Sequence, residues 1–364
     1  MSPESSPFPS SPAPAPEPVH RRRPRYSGKN PRRFEEKYKE RAPESYPETV
    51  AKVLASGKTP AGTHRPILVE EILAFLNPQP GQTAADCTLG YGGHAREILA
   101  RLQPGGRLIG LDADPVELPR TEARLRALGF GPETFTAHRS NFAGLPRVLA
   151  AEGLPGGVDL ILADLGVSSM QIDDPARGFS VKADGPLDMR MNPGRGQPAS
   201  AWLEKTSPEE LAALLEQNAD EPHAALLAPL LAGQPFATTR ALGDAVRAAL
   251  ARRPEEEAAL SVRRVFQALR IAVNEEFTAL DTWLRNLPFC LAPGGRVAVL
   301  TFHSGEDRRV KKAFQAGLRD GVYAEIAREV IRPGAEECRR NTRAAPAKLR
   351  WASVPLDPAR AAAR

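Results

Sequence analysis

Short apolar runs alternate with amphipathic stretches along two parts of this chain. Most of the runs lack polar alternation, and near-continuous apolar strands are typical of parallel sheets that are buried on both faces. The stretches between them carry apolar residues at helical spacing. The pattern predicts strands at residues 83–85, 106–112, 134–138, 158–164, 295–304 and 348–353, and helices at 65–76, 115–128, 265–287 and 306–318, with a further helical stripe from Ile98.

No strand-like run occurs between residues 171 and 261, where loops and helical stretches such as 208–216 and 242–250 are found instead. Strands that alternate with helices through short turns predict a doubly wound, Rossmann-like α/β sheet. We therefore predict three parts. They are a Pro-rich basic arm at 1–60, an α/β domain formed by 61–170 and 262–364, and an inserted all-helical subdomain at 171–261.

Charge and proline are concentrated at the N-terminus. Residues 1–60 hold 12 of the 49 Lys and Arg, 7 of the 44 Asp and Glu and 12 of the 36 prolines, so the arm carries +5 and the remainder is neutral. Such a segment buries too little apolar surface to offset its chain entropy, and we expect it to be disordered. Its arginine run at 21–25 is either a phosphate-seeking tail or a solvated linker.

The three cysteines lie far apart without metal-ligand spacing, which indicates a reducing compartment and excludes a disulfide scaffold. No apolar run has membrane-spanning length, and the N-terminus lacks the apolar segment of a secretory signal. We therefore expect a soluble, cytoplasmic protein without a metal site or a membrane partner. The sequence leaves a homodimer open.

A glycine-rich turn follows the first predicted strand, where residues 86–94 read Asp-Cys-Thr-Leu-Gly-Tyr-Gly-Gly-His. A strand, a glycine turn and a helix together present bare backbone N–H groups and the positive end of a helix to a ligand. Glycine allows the ligand to approach the backbone and allows a positive φ. A tight strand-to-helix turn without a ligand is the alternative, so residues further along must decide between the two.

Polar or aromatic residues follow the other predicted strands. Asp112 ends the second strand, nineteen residues beyond the glycine turn, which is the spacing of a carboxylate that accepts hydrogen bonds from ribose hydroxyls. Phe142 follows the third strand, where its ring could lie near an adenine. Asp164 ends the fourth strand, and His303 and Ser304 end the fifth. One such carboxylate could simply cap a helix, but ligands bind at the carboxyl ends of these sheets, so the set predicts a nucleoside-cofactor site.

Spacing alone leaves two cofactor classes open. Residues 90–95, Gly-Tyr-Gly-Gly-His-Ala, satisfy the dinucleotide pattern with alanine in the third position, as in a nicotinamide-dependent Rossmann oxidoreductase. Against this, His94 would crowd a pyrophosphate, and a second mononucleotide half is missing. A P-loop is excluded because no Gly-Lys-Ser/Thr follows. S-adenosyl-L-methionine needs only one such half and is favoured.

The chain closely resembles the ribosomal RNA small subunit methyltransferase H family from about His64 to Ser353. Eight stretches carry the resemblance in the same order: His-Arg-Pro-Ile-Leu at 64–68, the glycine turn at 86–94, Asp-Leu-Gly-Val-Ser-Ser at 164–169, Gln-Ile-Asp-Asp at 171–174, Arg-Gly-Phe-Ser at 177–180, Asp-Gly-Pro-Leu-Asp-Met-Arg-Met at 184–191, Phe-Gln-Ala-Leu-Arg-Ile at 266–271 and Phe-His-Ser-Gly-Glu-Asp-Arg at 302–308. Cys87 stands where the family usually has glycine, and Gly305 stands where it usually has leucine. The match at 218–223 is weak.

The resemblance implies an S-adenosyl-L-methionine-dependent methyltransferase. Its substrate would be the N4 amine of a cytidine in the decoding region of 16S ribosomal RNA, and its partner the small ribosomal subunit. It also implies which residues contact the cofactor, namely Gly92, Gly93, His94, Asp112, Phe142, Asp164 and Gln171. A catalytically silent RNA-binding factor that keeps the cofactor pocket is a further alternative.

The cytosine amine is a poor nucleophile because its lone pair is delocalised into the ring, so a site can help by accepting its hydrogen bonds. Asp164 is the first candidate for orienting the amine, although it could instead serve the methionine end of the cofactor. His303 and Ser304 are the next candidates. By family analogy we expect an RNA-facing wall with the basic residues Arg177, Lys182, Arg190, Arg195, Arg263 and Arg264, for which a solvated surface is the alternative.

Overall fold

A seven-stranded sheet organises the protein. The computed structural model describes residues 66–356, and the arm predicted at 1–60 lies outside that range. The strands are β1 (Thr83–Asp86), β2 (Arg107–Asp112), β3 (Phe135–Arg139), β4 (Val158–Asp164), β5 (Leu291–Thr301), β6 (Glu325–Ile326) and β7 (Lys348–Ser353). They lie in the order β3-β2-β1-β4-β5-β7-β6. The first five strands in this order are parallel, and β7 is antiparallel to both of its neighbours.

The strand order reverses at β1, which pairs with β2 on one side and β4 on the other. Ligands bind outside the carboxyl ends of the strands at such a switch point. Asp86, Asp112 and Asp164 are the last residues of these three strands. The sheet thus brings together three carboxylates that are far apart in sequence, and the predicted doubly wound α/β class is confirmed.

Helices cover both faces of the sheet. The described helices are α1 (Val69–Leu76), α2 (Gly93–Leu102), α3 (Glu117–Ala127), α4 (Leu145–Ala151), α5 (Ser169–Asp173), α6 (Ala199–Lys205), α7 (Pro208–Ala219), α8 (Ala224–Leu231), α9 (Thr239–Ala249), α10 (Glu255–Val273), α11 (Glu276–Asn286), α12 (Ser304–Arg319) and α13 (Ala335–Arg340).

Successive residues of each central strand point to opposite faces. On β4, Leu160 packs in the core formed with α1, α2 and α3, whereas Ile161 packs in the core formed with α4, α11 and α12. Ala84 and Ala85 of β1 divide between the same two cores. Burial on both faces explains why these strands are continuously apolar.

Between β4 and β5 the chain forms α5 to α10, and a third apolar core holds α6 to α10 together. Helix α10 runs through residue 261, where we predicted the helical subdomain to end. Its Val265 and Leu269 are fully buried in this third core. The helix therefore crosses the predicted boundary.

Two expected elements differ in the structure. The single helix predicted at 265–287 is wrong, because α10 ends at Val273 and α11 begins at Glu276. Glu275 has a φ of 51°, a left-handed conformation that interrupts the helix without a glycine or a proline. The strand predicted at 295–304 is β5, but it starts four residues earlier, at Leu291, and ends at Thr301. No helix within 66–356 is both long enough and apolar enough to cross a membrane.

Candidate cofactor and acceptor site

A cavity of about 1580 Å³ lies at the carboxyl ends of the central strands. The glycine turn, the segments after β2, β3 and β4, the start of α11 and the loop 191–197 all contribute to its lining. Sites for small ligands typically measure about 300–1,000 Å³. The volume therefore accommodates a nucleoside cofactor together with part of a second, larger molecule.

The glycine turn needs its glycines for reasons that the structure makes specific. Gly92 has a φ of 79°, and a Cβ there would lie 2.9 Å from Cγ2 of Thr121. A Cβ on Gly93 would lie 2.4 Å from Cγ of Pro66, far inside van der Waals contact. Gly93 begins α2 and lines the cavity, so its bare backbone forms part of the wall.

Asp112 is held in a fixed orientation at the end of β2. Its Oδ2 accepts a hydrogen bond from the backbone N–H of Gly90 at 2.7 Å, and its Oδ1 accepts one from that of Asp114 at 2.8 Å. Burial raises the pKa of this carboxyl, and the two hydrogen bonds offset part of that increase. Each oxygen keeps a second lone pair, and the residue lines the cavity as expected for a group that binds ribose hydroxyls.

Phe142 lines the same cavity beyond β3. Its ring contacts the fully buried Trp283 edge to face, with 6.1 Å between the ring centroids. This contact fixes a half-buried aromatic surface in the cavity wall. Contact of this ring with an adenine stays a prediction.

His94 and Asp164 face each other across the cavity floor, with 3.6 Å between Nδ1 and Oδ2. His94 Nε2 lies 2.9 Å from the carbonyl oxygen of Ile67, which can only accept, so Nε2 carries the proton. Burial lowers the pKa of His94 and keeps the ring neutral. Burial, with the charge of Glu306, raises the pKa of Asp164 to about 7.

Asp86 lies beneath this pair and is 2% exposed. Its Oδ1 accepts a hydrogen bond from the N–H of Thr88 at 3.1 Å, and the Thr88 hydroxyl accepts one from the N–H of Asp164 at 2.6 Å. Burial raises the pKa of Asp86 to about 7, although the hydrogen bond from the Thr88 backbone acts to lower it. The site therefore contains two carboxyls that change charge near neutral pH.

Gln171 is hydrogen-bonded to Asp114, a buried residue that the sequence analysis did not single out. Its Nε2 donates to Oδ2 of Asp114 at 2.7 Å, while its Oε1 accepts from the N–H of Ser168. Arg177 donates to the same Asp114 oxygen at 2.8 Å. Asp114 is 1% exposed, and although burial acts to raise its pKa, Arg177 and Gln171 leave that pKa below the ordinary value.

The hydrogen bonds continue from Arg177 around the cavity. Its Nη2 donates to the carbonyl oxygens of Arg190 and Met191. The N–H of Met191 donates to Oδ1 of Asn274 at 2.7 Å, and Asn274 also binds the carbonyl oxygens of Met189 and Arg270. This chain of bonds ties the end of β2 to the end of α10.

The basic residues that we expect on an RNA-facing wall have different surroundings. Arg177 is bound to Asp114 and Arg190 to Asp188, whereas Arg195 lines the cavity.

His303 and Ser304 are not among the residues that line the cavity; Phe302 and Glu306 are. The Ser304 hydroxyl donates to Asp220 Oδ2 at 2.9 Å on an exposed surface. His303 Nε2 lies 3.2 Å from Oε1 of Glu306. The geometry therefore gives no support to the predicted role of these two residues in orienting the acceptor.

Glu306 belongs to a buried cluster with Glu276 and His303, whose potential ligand atoms lie within 4.8 Å of one another. Both oxygens of Glu276 are already bound to the Arg270 guanidinium, at 2.8 and 2.9 Å. The Glu306 Oε2 accepts from the N–H of Phe302. The two carboxylates of the cluster are thus already held by Arg270 and by a backbone N–H.

Residues 61–354 match the MraW methylase family, which is about four-fifths of the chain. The chain belongs to this family. The methylase is similar to "Ribosomal RNA small subunit methyltransferase H 1" of Lachnoclostridium phytofermentans, with 51% identity over 92% of this chain and 93% of that protein. It is also similar to "Ribosomal RNA small subunit methyltransferase H 2" of Alkaliphilus metalliredigens, with 51% identity over 91% of this chain and 97% of that protein.

These matches confirm the family resemblance and the methyl donor, S-adenosyl-L-methionine, and they exclude the nicotinamide-dependent oxidoreductase. The residues of the methylase fit that donor. Gly93 lines the cavity without a side chain, the carboxylate of Asp112 is held in a fixed orientation, and Phe142 presents a half-buried aromatic ring. His94, Asp164 and Gln171 complete the lining at the other end.

Proposed function

We propose that this methylase transfers a methyl group from S-adenosyl-L-methionine to the N4 amine of a cytidine in the decoding region of 16S ribosomal RNA, within the small ribosomal subunit. The relatives that match over more than nine-tenths of the chain carry names of small-subunit ribosomal RNA methyltransferases. The observation that carries the proposal on this chain is a carboxyl at the methyl-transfer end of the cavity that can accept from an exocyclic amine, Asp164.

Seven residues would hold the donor. Gly93 would present bare backbone, and Gly92, which does not itself line the cavity, would shape the turn through its positive φ. Asp112 would accept from the ribose hydroxyls, and Phe142 would contact the adenine. His94, Asp164 and Gln171 would face the methionine part. When it is bound, the donor supplies an electrophilic methyl group on a sulfonium.

Asp164 would orient the acceptor. The N4 lone pair of cytosine is conjugated with the ring, and a carboxylate that accepts an N4–H hydrogen bond favours the geometry in which this lone pair faces the methyl group. The ionised form is needed for this, and the Thr88 hydroxyl bond to the backbone of Asp164 fixes its position. The amine loses one proton after transfer, and solvent at the open side of the cavity can take it.

The target cytidine must leave its stack to reach the cavity floor. We propose that the helical segment 171–261 forms the wall that receives it. Its loop 191–197 and Trp202 line the cavity, and the bonds of Arg177 and Asn274 hold that loop in place.

Transfer of tritium from S-adenosyl-L-methionine to small subunits that lack the modification tests this function. Mass spectrometry of the nuclease-digested RNA then locates the methyl group. We expect one N4-methylated cytidine in the decoding region. Label on another nucleotide, or on protein, would refute the proposed substrate while leaving the methylase assignment intact.

A further inference from the structure

Five arginines line the cavity, and they divide into two groups by their partners. Arg270 is bound to Glu276, and Arg343 is bound to Asp173. The remaining three are Arg139, Arg147 and Arg195, which we call the rim arginines; all three are exposed. Within residues 66–356, no carboxylate lies within ion-pair distance of the guanidinium of any rim arginine, and no hydrogen bond holds it.

The rim arginines come from two separate parts of the fold. Arg139 is the last residue of β3, and Arg147 lies on α4, on either side of Phe142. Arg195 lies in the loop between Met191 and α6. The donor side and the helical segment therefore both place a free positive charge at the cavity opening.

The loop that carries Arg195 is anchored on both sides of its base. Met191 is bound through its N–H to Asn274 and through its carbonyl to Arg177, and the N–H of Ala199 donates to the Asp188 carbonyl. Within the loop, Asn192 accepts from the N–H groups of Gly194 and Arg195. An anchored tight turn presents the Arg195 side chain at low conformational cost.

The charge of the cavity changes from floor to opening. Asp114, Glu276 and Glu306, three carboxylates of the lining, are buried and bound to cationic or backbone groups. Glu275 is the one exposed carboxylate of the lining. Since residues 61–364 carry no net charge, the unpaired positive charge at the opening is local and not a property of the whole surface.

We propose that the rim arginines bind the phosphates of the RNA strand on either side of the target nucleotide while its base enters the cavity. Guanidinium groups match phosphate oxygens in a planar, bidentate geometry, and unpaired ones need not break an existing ion pair first. This inference rests on the proposed function, because it takes RNA as the substrate. It assigns phosphate binding to Arg139 and Arg147, which the sequence analysis did not single out. It also assigns it to Arg195, one of the six basic residues that we expect on the RNA-facing wall.

The test measures the affinity of the protein, saturated with S-adenosylhomocysteine, for small subunits that lack the modification, over a series of KCl concentrations. Each phosphate contact with a single strand contributes about 0.7 to the slope of log affinity against log salt. We expect the triple variant R139Q/R147Q/R195Q to lower that slope by about 2 and to weaken binding at least about tenfold.

Two sets of variants are the controls. The exposed arginines Arg252, Arg253 and Arg319 do not line the cavity, and their triple Gln variant removes the same charge elsewhere. The triple Lys variant of the rim arginines keeps the charge, so its salt slope should stay close to that of the wild type. Binding of S-adenosylhomocysteine itself should be the same in every variant, which also reports correct folding.

Equal losses in the rim and the control Gln variants would overturn the proposal, because the effect would then be one of total charge. An unchanged salt slope in the rim variant would overturn it as well. If the wild-type protein neither binds nor methylates small subunits, the proposed function fails instead, and that result is distinct because it needs no variant. A loss of affinity in the rim Gln variant alone supports the site. E275Q removes the exposed negative charge of the lining, so it should bind small subunits at least as tightly as the wild type.

Discussion

Oδ2 of Asp164 lies 3.6 Å from Nδ1 of His94, and that nitrogen bears no proton because Nε2 donates to the carbonyl of Ile67. Two groups with lone pairs thus face each other. The arrangement is most stable when Asp164 is protonated, in agreement with its pKa of about 7, which burial and the charge of Glu306 raise. Binding of an amine would substitute an N–H donor for this proton.

Asp164 should therefore control the acidic limb of the pH profile. The ionised carboxylate accepts from the amine, so kcat/KM for small subunits should fall as the pH decreases below about 7. Asp164→Asn should lose this limb and reduce kcat by about 10²–10³. Single-turnover rates between pH 5.5 and 9 measure both effects, with S-adenosylhomocysteine affinity as the control; full turnover at unchanged affinity would contradict the role.

Asp86 should make the stability of the fold depend on pH. Its folded-state pKa of about 7 lies above its ordinary value of 3.8, so its contribution to stability is greatest below pH 3.8 and is lost as the pH rises through 7. Asp86→Asn keeps the oxygen that accepts from Thr88 but cannot ionise. Above pH 7 we expect it to raise the free energy of unfolding by roughly 2–4 kcal/mol. Urea unfolding at pH 5 and pH 8 gives the difference, and a gain that does not depend on pH would count against this explanation.

Gly93→Ala should distort the cofactor wall. The added methyl would lie 2.4 Å from Cγ of Pro66, and relieving such a contact costs about 1–3 kcal/mol. We expect weaker binding of S-adenosylhomocysteine in calorimetry together with a lower Tm. The matched control is Gly156→Ala, where nothing lies within 4 Å of the new Cβ and both measurements should stay at the wild-type values.

Arg177→Gln should destabilise the protein by about 3 kcal/mol, because it leaves the buried carboxylate of Asp114 without its cation. The same change frees the carbonyls of Arg190 and Met191, so backbone amides near these residues should exchange hydrogen faster. Arg240→Gln is the control. Its side chain is 66% exposed, and its Nε lies 3.9 Å from Oδ2 of Asp184; such a pair contributes less than about 1 kcal/mol. Equal losses in the two variants would contradict the assignment.

Ser304→Ala should leave kcat within about twofold of the wild type, since the hydroxyl binds Asp220 on an exposed surface and does not line the cavity. A drop of more than tenfold in single-turnover rate, with the Tm unchanged, would restore Ser304 as a catalytic candidate.

Several features of the site could be predicted because they depend on local pattern. The buried parallel strands are mostly apolar, so a carboxylate as the last residue of a strand marks the edge where ligands bind. Asp112 and Asp164 were found in this way. The glycine turn was equally visible, because both the positive φ of Gly92 and the contact of Gly93 with Pro66 require residues without a side chain.

Other features depend on contacts between distant residues and left no local signal. Arg177 and Asp114 are 63 positions apart, and nothing near either of them indicates the pair. The break at Glu275 results from its left-handed backbone, which no glycine or proline announces. Arg139 and Arg147 belong to ordinary polar positions, and only the folded sheet brings them to the cavity opening.

Hydrogen bonds run from Asp114 through Arg177 and Met191 to Asn274. Because the N–H of Asp114 also donates to Asp112, these bonds connect the end of β2 to the loop that carries Arg195. If this connection transmits strain, the methyl donor and the RNA each change the other's dissociation constant, and thermodynamic reciprocity makes the two factors equal. Occupancy of the donor site would then be readable as a change in RNA affinity, and RNA occupancy as an equal change in donor affinity.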